Sequence, residues 1–182
     1  VIATQDPVVA QHLQQIFHQQ LFRVYVNRDV IGCEVAGSLK NVIAIAAGVC
    51  DGFGLGDNAK AALITRGLAE MARLGVALGA DSLTFAGLSG MGDLIVTCES
   101  RHSRNRSVGE KIASGMKLEE ILASSPMVAE GVRTARAALA LARKNNVEMP
   151  ITEQVYRVLY EGADAREAVT ALMTRDLKSE RG

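Results

Sequence analysis

Lys40 is the side chain whose setting best suits proton transfer. It lies in the segment G-S-L-K-N at residues 37–41, which is followed by an apolar run at 42–48. In the helix that this pattern predicts, small and apolar neighbours would surround the ammonium group, and desolvation lowers the pKa of a lysine below its ordinary value of about 10.4. Such a lysine can donate or accept a proton. The alternative is a lysine that snorkels to solvent from the end of an amphipathic helix.

Asp93 and Thr97 form a second candidate group. Asp93 follows two glycines in the segment G-M-G-D-L at 90–94, and Thr97 comes four residues later. Residues four apart project from one face of a helix, so a carboxylate and a hydroxyl would lie together. The pair could hold a lysine ammonium or a polyol hydroxyl. The simpler alternative for Asp93 is capping of a helix after the glycines.

A basic segment, R-H-S-R-N-R at residues 101–106, stands at the start of a predicted helix with Ser103 as its N-cap. Free backbone N–H groups, the Ser103 hydroxyl, the Arg104 guanidinium and the Asn105 amide would converge there and suit a phosphate. A solvated basic turn is the alternative. Nucleic acid is not the expected partner, because the segment has no interleaved aromatic residues and the chain has no second basic patch of similar density.

Three glycines at alternate positions, 52, 54 and 56, precede a helix whose predicted cap is Asp57 or Asn58. Their spacing lacks the lysine of a Walker loop, and a helix rather than a strand comes before them. We therefore interpret this segment as a tight turn that lets backbone approach backbone.

The composition sets broad limits. With 182 residues, 48% of them hydrophobic, the chain can bury a core of its own. Twenty basic residues balance twenty acidic ones, so an anion site has to be local. The three cysteines have neither C-x-x-C spacing nor a histidine at ligand spacing, which argues against disulfides and a metal site and favours the cytoplasm. The most apolar run, residues 42–50, falls short of the roughly 20 residues of a membrane span.

Two parts are expected along the chain. Residues 1–30 are typical of a strand over 1–3, a helix that opens at Asp6 and Pro7 and runs to about Gln20, and a strand over 21–27. The opening V-I-A is typical of the end of a buried strand, so we expect residues upstream. Residues 31–182 show helical periodicity and are expected to form a helical domain. Its predicted helices cover about 34–50, 58–79, 81–86, 90–97, 104–114, 117–123, 131–145, 151–160 and 164–173.

Several motifs, taken in order, resemble the C-terminal half of the bacterial-type NAD(P)-dependent glycerol-3-phosphate dehydrogenases. They are G-S-L-K-N at 37–41, G-D-N-A-K at 56–60, L-I-T-R-G-L at 63–68, G-M-G-D-L at 90–94, S-R-N-R at 103–106 and E-M-P-I-T-E at 148–153. The resemblance covers essentially the whole chain. It implies a mainly α fold, with a helical substrate domain of the 6-phosphogluconate dehydrogenase C-terminal type preceded by a residual βαβ piece of a Rossmann domain.

The resemblance also implies roles for particular residues. In that family the lysine of the G-[AS]-L-K-N motif is the catalytic acid/base, and this role would fall to Lys40. Arg104 would contact both the substrate and the nucleotide, and Val128 and Glu130 would contact the nucleotide. No metal is implied. The expected substrate contacts are Lys40, Asn41, Asp93, Thr97, Ser103, Arg104 and Asn105.

The implied reaction is the reversible, NAD(P)H-dependent reduction of dihydroxyacetone phosphate to sn-glycerol 3-phosphate, for glycerophospholipid synthesis. The G-x-G-x-x-G fingerprint of the nucleotide domain is not in this chain, so NAD and NADP cannot be told apart and the isolated chain is expected to be inactive. The expected partner is a phosphorylated small molecule, and a homodimer is one assembly to expect.

Two other interpretations stay open. A β-hydroxyacid dehydrogenase also uses a lysine on a helix, but with an asparagine about one turn after it, whereas Asn41 follows Lys40 directly. The other is a helical dimerisation module without chemistry, in which Lys40, Asp93 and Arg104 would not converge.

Overall fold

The computed structural model of the chain describes residues 1–124, 129–176 and 179. Helices dominate it, which confirms the mainly α fold class. In chain order the elements are β1 (Ile2–Ala3), α1 (Pro7–Phe17), β2 (Val26–Asn27), α2 (Val30–Gly52), α3 (Asp57–Ala77), α4 (Ser82–Ala86), a π-helical turn (Leu88–Gly92), α5 (Asp93–Glu99), α6 (Arg104–Ala113), α7 (Leu118–Ala123), α8 (Glu130–Lys144), α9 (Pro150–Tyr160) and α10 (Ala165–Met173).

The predicted helix bounds agree with the structure to within one residue for α4 and for α6 through α10. The single helix predicted over 90–97 is wrong. Its first half is the π-helical turn, and α5 begins only at Asp93.

The first part of the chain is a βαβ unit, as predicted. β1 and β2 pair in parallel, with Ile2 opposite Val26. The Asp6 carboxylate caps α1 by accepting from the backbone N–H groups of Val8 and Val9, and Pro7 takes the first helical position. This cap is the one that the sequence predicts.

The predicted strand over 21–27 is mostly wrong. The helix α1 ends at Phe17, and Gln19 and Phe22 then exchange two backbone hydrogen bonds of 3.0 Å that close a tight turn. Leu21 lies in this turn and is 99% exposed. The β propensity of this segment has no effect because the turn uses the backbone groups of Phe22 that a ladder would need, and pairing begins only at Val26.

The helix α2 lies at the centre of the fold. It begins at Val30, four residues before the predicted start, because the Asp29 carboxylate caps it by accepting from the Gly32 N–H at 2.8 Å. Residues 41–48 of α2 are buried, and α3, α5, α6 and α8 all pack against the helix. By length and composition α2 could also cross a membrane, but half of its most apolar window is buried inside the fold, as in a core helix.

Glycines bring α6 against the backbone of α2. A Cβ on Gly48 would lie 1.9 Å from the Arg106 carbonyl oxygen, and one on Gly109 would lie 2.0 Å from the Ile45 carbonyl oxygen. Any side chain at either position would therefore push the two helices apart. These glycines therefore set the short distance between the two helices at their crossing.

The glycine segment after α2 is a turn, as predicted. Gly54 and Gly56 have φ values of 65° and 83°, a region that favours glycine. A Cβ on either would meet nothing within 4 Å, but one on Gly52 would lie 3.2 Å from the Glu110 carbonyl oxygen, so the predicted close approach of backbones is found at Gly52 alone of the three glycines. The predicted side-chain cap at Asp57 or Asn58 is also wrong, because Gly56 occupies the cap position of α3 without a side-chain hydrogen bond.

A buried carboxylate joins α3 to α9. Glu70, only 1% exposed, accepts from the backbone N–H groups of Ile151 at 2.6 Å and Thr152 at 3.1 Å, and from the Thr152 hydroxyl at 3.0 Å. It thus caps α9 from a distant part of the chain. Burial raises the pKa of Glu70 above its ordinary value and outweighs these hydrogen bonds, which lower it.

Candidate active site

Lys40 and Asp93 form an ion pair between α2 and α5. The Lys40 Nζ lies 2.5 Å from the Asp93 Oδ2, and the two side chains are 21% and 36% exposed. Of the two partners predicted for Asp93, a lysine ammonium and a polyol hydroxyl, the structure shows the ammonium. The capping alternative for Asp93 is wrong, because α5 has no side-chain cap. Lys40 keeps access to solvent, but its ammonium meets a carboxylate rather than only small and apolar groups.

The π-helical turn determines the position of Asp93, the first residue of α5. A Cβ on Gly90 would lie 2.2 Å from the Phe85 carbonyl oxygen, so the turn rests directly on the backbone of α4. Short π-helical segments are frequent at functional sites because they shift the phase of the helix that follows. Here that shift occurs immediately before Asp93.

Thr97 lies one turn after Asp93 on α5, as predicted, but its hydroxyl donates to the backbone carbonyl of Asp93 at 2.6 Å rather than to the carboxylate. The Asp93 carboxylate therefore makes its ion pair with Lys40 without competition from the Thr97 hydroxyl. Substrate contact by Thr97 stays a prediction.

Two asparagines join the helices α2, α6 and α8. The Asn105 Nδ2 donates to the Asn41 Oδ1 at 2.9 Å, and the Asn105 Oδ1 accepts from the Gly131 N–H at 2.9 Å. Both asparagines are buried. A Cβ on Gly131 would lie 2.5 Å from the Asn41 carbonyl oxygen, so the start of α8 touches α2 here.

The residues predicted to bind an anion lie at the start of α6. Ser103 is the N-cap, as predicted, and its Oγ accepts from the Arg106 N–H at 3.3 Å. Arg104 is exposed and has no hydrogen-bond or ion-pair partner among the residues that the structure describes. A free guanidinium beside a helix N-terminus suits an anion.

The backbone segments that carry these groups lie close together. Lys40 precedes Asn41 and Arg104 precedes Asn105, so each is the chain neighbour of one member of a hydrogen-bonded pair. Glu130 precedes Gly131 and is likewise brought to this point, with its side chain exposed. Val128, the other predicted nucleotide contact, lies outside the described residues. Of the three residues Lys40, Asp93 and Arg104, the structure shows contact between Lys40 and Asp93, and the place of Arg104 beside them stays a prediction.

A set of five charged side chains, here named the charged cluster, lies farther along α2. The Asp51 Oδ2 lies 2.5 Å from the Arg106 Nε and 3.0 Å from the Lys60 Nζ. Lys60 also contacts Glu99 at 3.1 Å, and Arg106 contacts Glu110 at 3.0 Å. Sequence reasoning missed this cluster. An acidic residue near the end of a buried helix is the one signal that could have indicated it.

The pKa directions in the charged cluster fit ionised groups. Burial alone would raise the pKa of Asp51, but the hydrogen bonds from Arg106 and Lys60 outweigh it and lower the pKa. Burial alone would lower the pKa of Lys60, but its two carboxylate partners raise it. The hydrogen bond to Asp51 is the main cause that raises the pKa of Arg106.

A large apolar groove lies elsewhere, between α2, α3, α9 and α10. It has a volume of about 710 Å³, and its walls include Ile45, Leu63 and Val155. None of the predicted site residues lines it. The candidate site of Lys40 and Arg104 is therefore separate from this groove.

A family of known proteins matches almost the whole helical part. The family model described as NAD-dependent glycerol-3-phosphate dehydrogenase C-terminus matches residues 29–170. The chain belongs to this family of C-terminal domains. The resemblance inferred from the motifs is thereby confirmed.

Relatives in this family resemble the chain over its full length. The glycerol-3-phosphate dehydrogenase of Geobacter sulfurreducens is 61% identical over 181 residues, covering 100% of this chain and 54% of that protein. The Chlorobium limicola enzyme of the same name is 57% identical over 181 residues, covering 99% of this chain and 54% of that protein. Both relatives are named as using NAD or NADP.

Solved structures agree with the fold. The crystal structure of glycerol-3-phosphate dehydrogenase from Coxiella burnetii has a TM-score of 0.91 at 44% identity and covers 95% of this chain and 53% of that chain. The Saccharomyces cerevisiae enzyme has a TM-score of 0.80 at 30% identity, covering 88% and 47%. The chain thus spans about half the length of the relatives it matches.

Proposed function

We propose that this chain is the substrate-binding and catalytic half of an NAD(P)-dependent glycerol-3-phosphate dehydrogenase, which reduces dihydroxyacetone phosphate reversibly to sn-glycerol 3-phosphate. The observation that carries the proposal is the Lys40–Asp93 ion pair, which lies on the helix α2 to which Asn105, the chain neighbour of Arg104, is hydrogen-bonded. Family membership and the names of the relatives support it.

Lys40 is the proposed acid/base. Its Nζ delivers a proton to the carbonyl oxygen of the substrate during reduction, and its positive charge stabilises the alkoxide that develops there. Asp93 holds the ammonium group in place at 2.5 Å and supplies a second polar group to the polyol end of the substrate. The ion pair remains partly open to solvent, so a substrate can reach it.

The phosphate group is assigned to the start of α6. Arg104, the Ser103 hydroxyl and the free N–H groups of the first turn supply charged and neutral donors at one point. Anchoring the phosphate there holds the carbonyl within reach of Lys40 and lowers the barrier by fixing geometry. Because both ends of the Asn105 amide are already bonded, we assign Asn105 and Asn41 first to holding the helices together, and their contact with substrate stays a prediction.

The cofactor would be NAD or NADP. When bound, its nicotinamide supplies the hydride. Arg104 and Glu130 are exposed at the site and fit contacts to a nucleotide, and Val128 is proposed with them from the family resemblance. The larger part of the nucleotide would lie against a dinucleotide-binding domain outside this chain, which is why the isolated chain is expected to be inactive.

Three finer assignments belong to the same proposal. We propose that the enzyme is cytoplasmic, that it serves the synthesis of glycerophospholipids, and that it forms a homodimer. The three cysteines are all free, which fits the reducing conditions of the cytoplasm. The exposed residues of α4, α5 and the turn between them include Leu83, Leu88 and Val96, which fit burial in an assembly.

The test is NADH and NADPH oxidation with dihydroxyacetone phosphate, followed at the absorbance of the reduced nicotinamide. The intact enzyme should turn over and the isolated chain should not. An intact enzyme that reduces β-keto acids but not dihydroxyacetone phosphate would favour the β-hydroxyacid dehydrogenase instead.

A further inference from the structure

The first turn of α6 is held at two widely separated points of α2. The Asn105 side chain reaches Asn41, whereas Arg106, the next residue, reaches Asp51. Asn41 and Asp51 are ten residues apart, or about 15 Å along the helix axis at 1.5 Å per residue. Two anchors that far apart fix both the position and the direction of the turn that carries Arg104.

The Asp51 anchor depends on charge. One carboxylate oxygen, Oδ2, accepts from both Arg106 and Lys60, and these two side chains are only 16% and 8% exposed. Removal of the Asp51 charge leaves each cation with one partner, because Arg106 still meets Glu110 and Lys60 still meets Glu99. Glu110 lies on α6 itself, so Arg106 would stay paired while the charged link from α6 to α2 is lost.

We propose that Asp51 is a positioning residue, which aligns the anion site at the start of α6 with Lys40 through its ion pair with Arg106. The inference rests on the proposed function, since it concerns the phosphate site described there. Asp51 is eleven residues after Lys40, so the two project from nearly the same side of α2. The charged cluster thereby fixes the position of Arg104 relative to α2, the helix that carries the proposed acid/base Lys40.

The test compares Asp51→Asn with Thr152→Val. Thr152 is fully buried in the contact of α9 with α3 and loses one hydrogen bond to Glu70 in this variant, so it controls for a general loss of stability. For Asp51→Asn we expect the Kd of inorganic phosphate, measured by calorimetry on the intact protein, to rise roughly 10-fold to 100-fold, since a misplaced Arg104 loses a charged hydrogen bond to the anion and one such bond is worth about that factor. Thr152→Val should leave this Kd within about twofold, whatever its effect on Tm.

Three further readouts sharpen the result. Asp51→Glu, which keeps the carboxylate, should recover part of the phosphate affinity. Arg106→Gln should weaken phosphate binding about as much as Asp51→Asn does. The double variant should bind phosphate no more weakly than the weaker of the two single variants, because both substitutions break the same ion pair. In the active enzyme, KM for dihydroxyacetone phosphate should rise more than kcat falls.

The outcomes are distinct. If Asp51→Asn changes phosphate affinity no more than Thr152→Val does, or if the losses in the double variant add, Asp51 is a structural residue and the inference is overturned. A wild-type protein that binds no phosphate also overturns it. A wild type that binds phosphate without reducing dihydroxyacetone phosphate contradicts the proposed function alone.

Discussion

Arg104→Ala is the substitution that most directly tests the phosphate site. Arg104 is exposed and has no partner among the described residues, so its removal leaves no buried group unpaired. Ser103 still caps α6, and Asn105 still joins α6 to α2 and α8. The fold should therefore survive, with the Tm changed by no more than a degree or two.

The size of the effect follows from the bonds that Arg104 can make. A guanidinium that forks onto a phosphate makes two charged hydrogen bonds, each worth roughly 1.5 to 3 kcal/mol. Their loss corresponds to about 3 to 6 kcal/mol, or on the order of 100-fold to 10⁴-fold in kcat/KM at 1.36 kcal/mol per tenfold change. Because Arg104 is exposed, solvent weakens the interaction and we expect the lower end, about 100-fold.

The assay compares kcat/KM for dihydroxyacetone phosphate with that for dihydroxyacetone. The unphosphorylated substrate never used these bonds, so its rate should change much less. Arg101→Ala is the matched control, because Arg101 is an exposed arginine in the same basic segment, three residues before Arg104. Arg104→Lys should recover only part of the loss, since a point charge does not reproduce the fork. Equal losses for the two substrates, or an equal loss in Arg101→Ala, would refute a phosphate contact by Arg104.

Three further predictions follow from other contacts. Lys40→Met should lower kcat by about 100-fold or more while nucleotide affinity stays nearly unchanged, and near-normal turnover would remove Lys40 from the mechanism. Glu70→Ala leaves three buried donors of Ile151 and Thr152 without an acceptor, so denaturant unfolding should give a free energy of unfolding about 2 to 5 kcal/mol lower, and a loss well under 1 kcal/mol would contradict this. The folded state lowers the pKa of Asp51 below its ordinary value of 3.8, so the ionised carboxylate contributes its full stabilisation above pH 3.8. This stabilisation is lost as the pH falls through the lower pKa of the folded state. The difference in unfolding free energy between wild type and Asp51→Asn should therefore shrink between pH 7 and pH 3, and a constant difference would mean that the carboxylate charge is not what matters.

The sequence determined the helical elements well, because their signals are local. Asp6 and Ser103 cap N–H groups that lie two or three residues away, so the pattern that predicts each cap contains both partners. The glycine turn before α3 could also be predicted from the sequence, since a positive φ angle depends on the single residue that adopts it. The predictions that failed are the strand over 21–27, where the turn closed by Gln19 and Phe22 overrides β propensity, the single helix over 90–97 and the side-chain cap of α3.

The motifs also identified the family, and the residue types suggested a candidate site, but the pairings depended on the tertiary structure. Lys40 and Asp93 are 53 residues apart, and the residues alone allowed a capping aspartate and a solvated lysine as readily as an ion pair. Asn105 with Asn41, Arg106 with Asp51 and Glu70 with Ile151 are separated by 64, 55 and 81 residues. No local pattern distinguishes a side chain with such a partner from one in solvent, because the energy of a buried polar group depends on a partner that only the packing of the helices brings within hydrogen-bond distance.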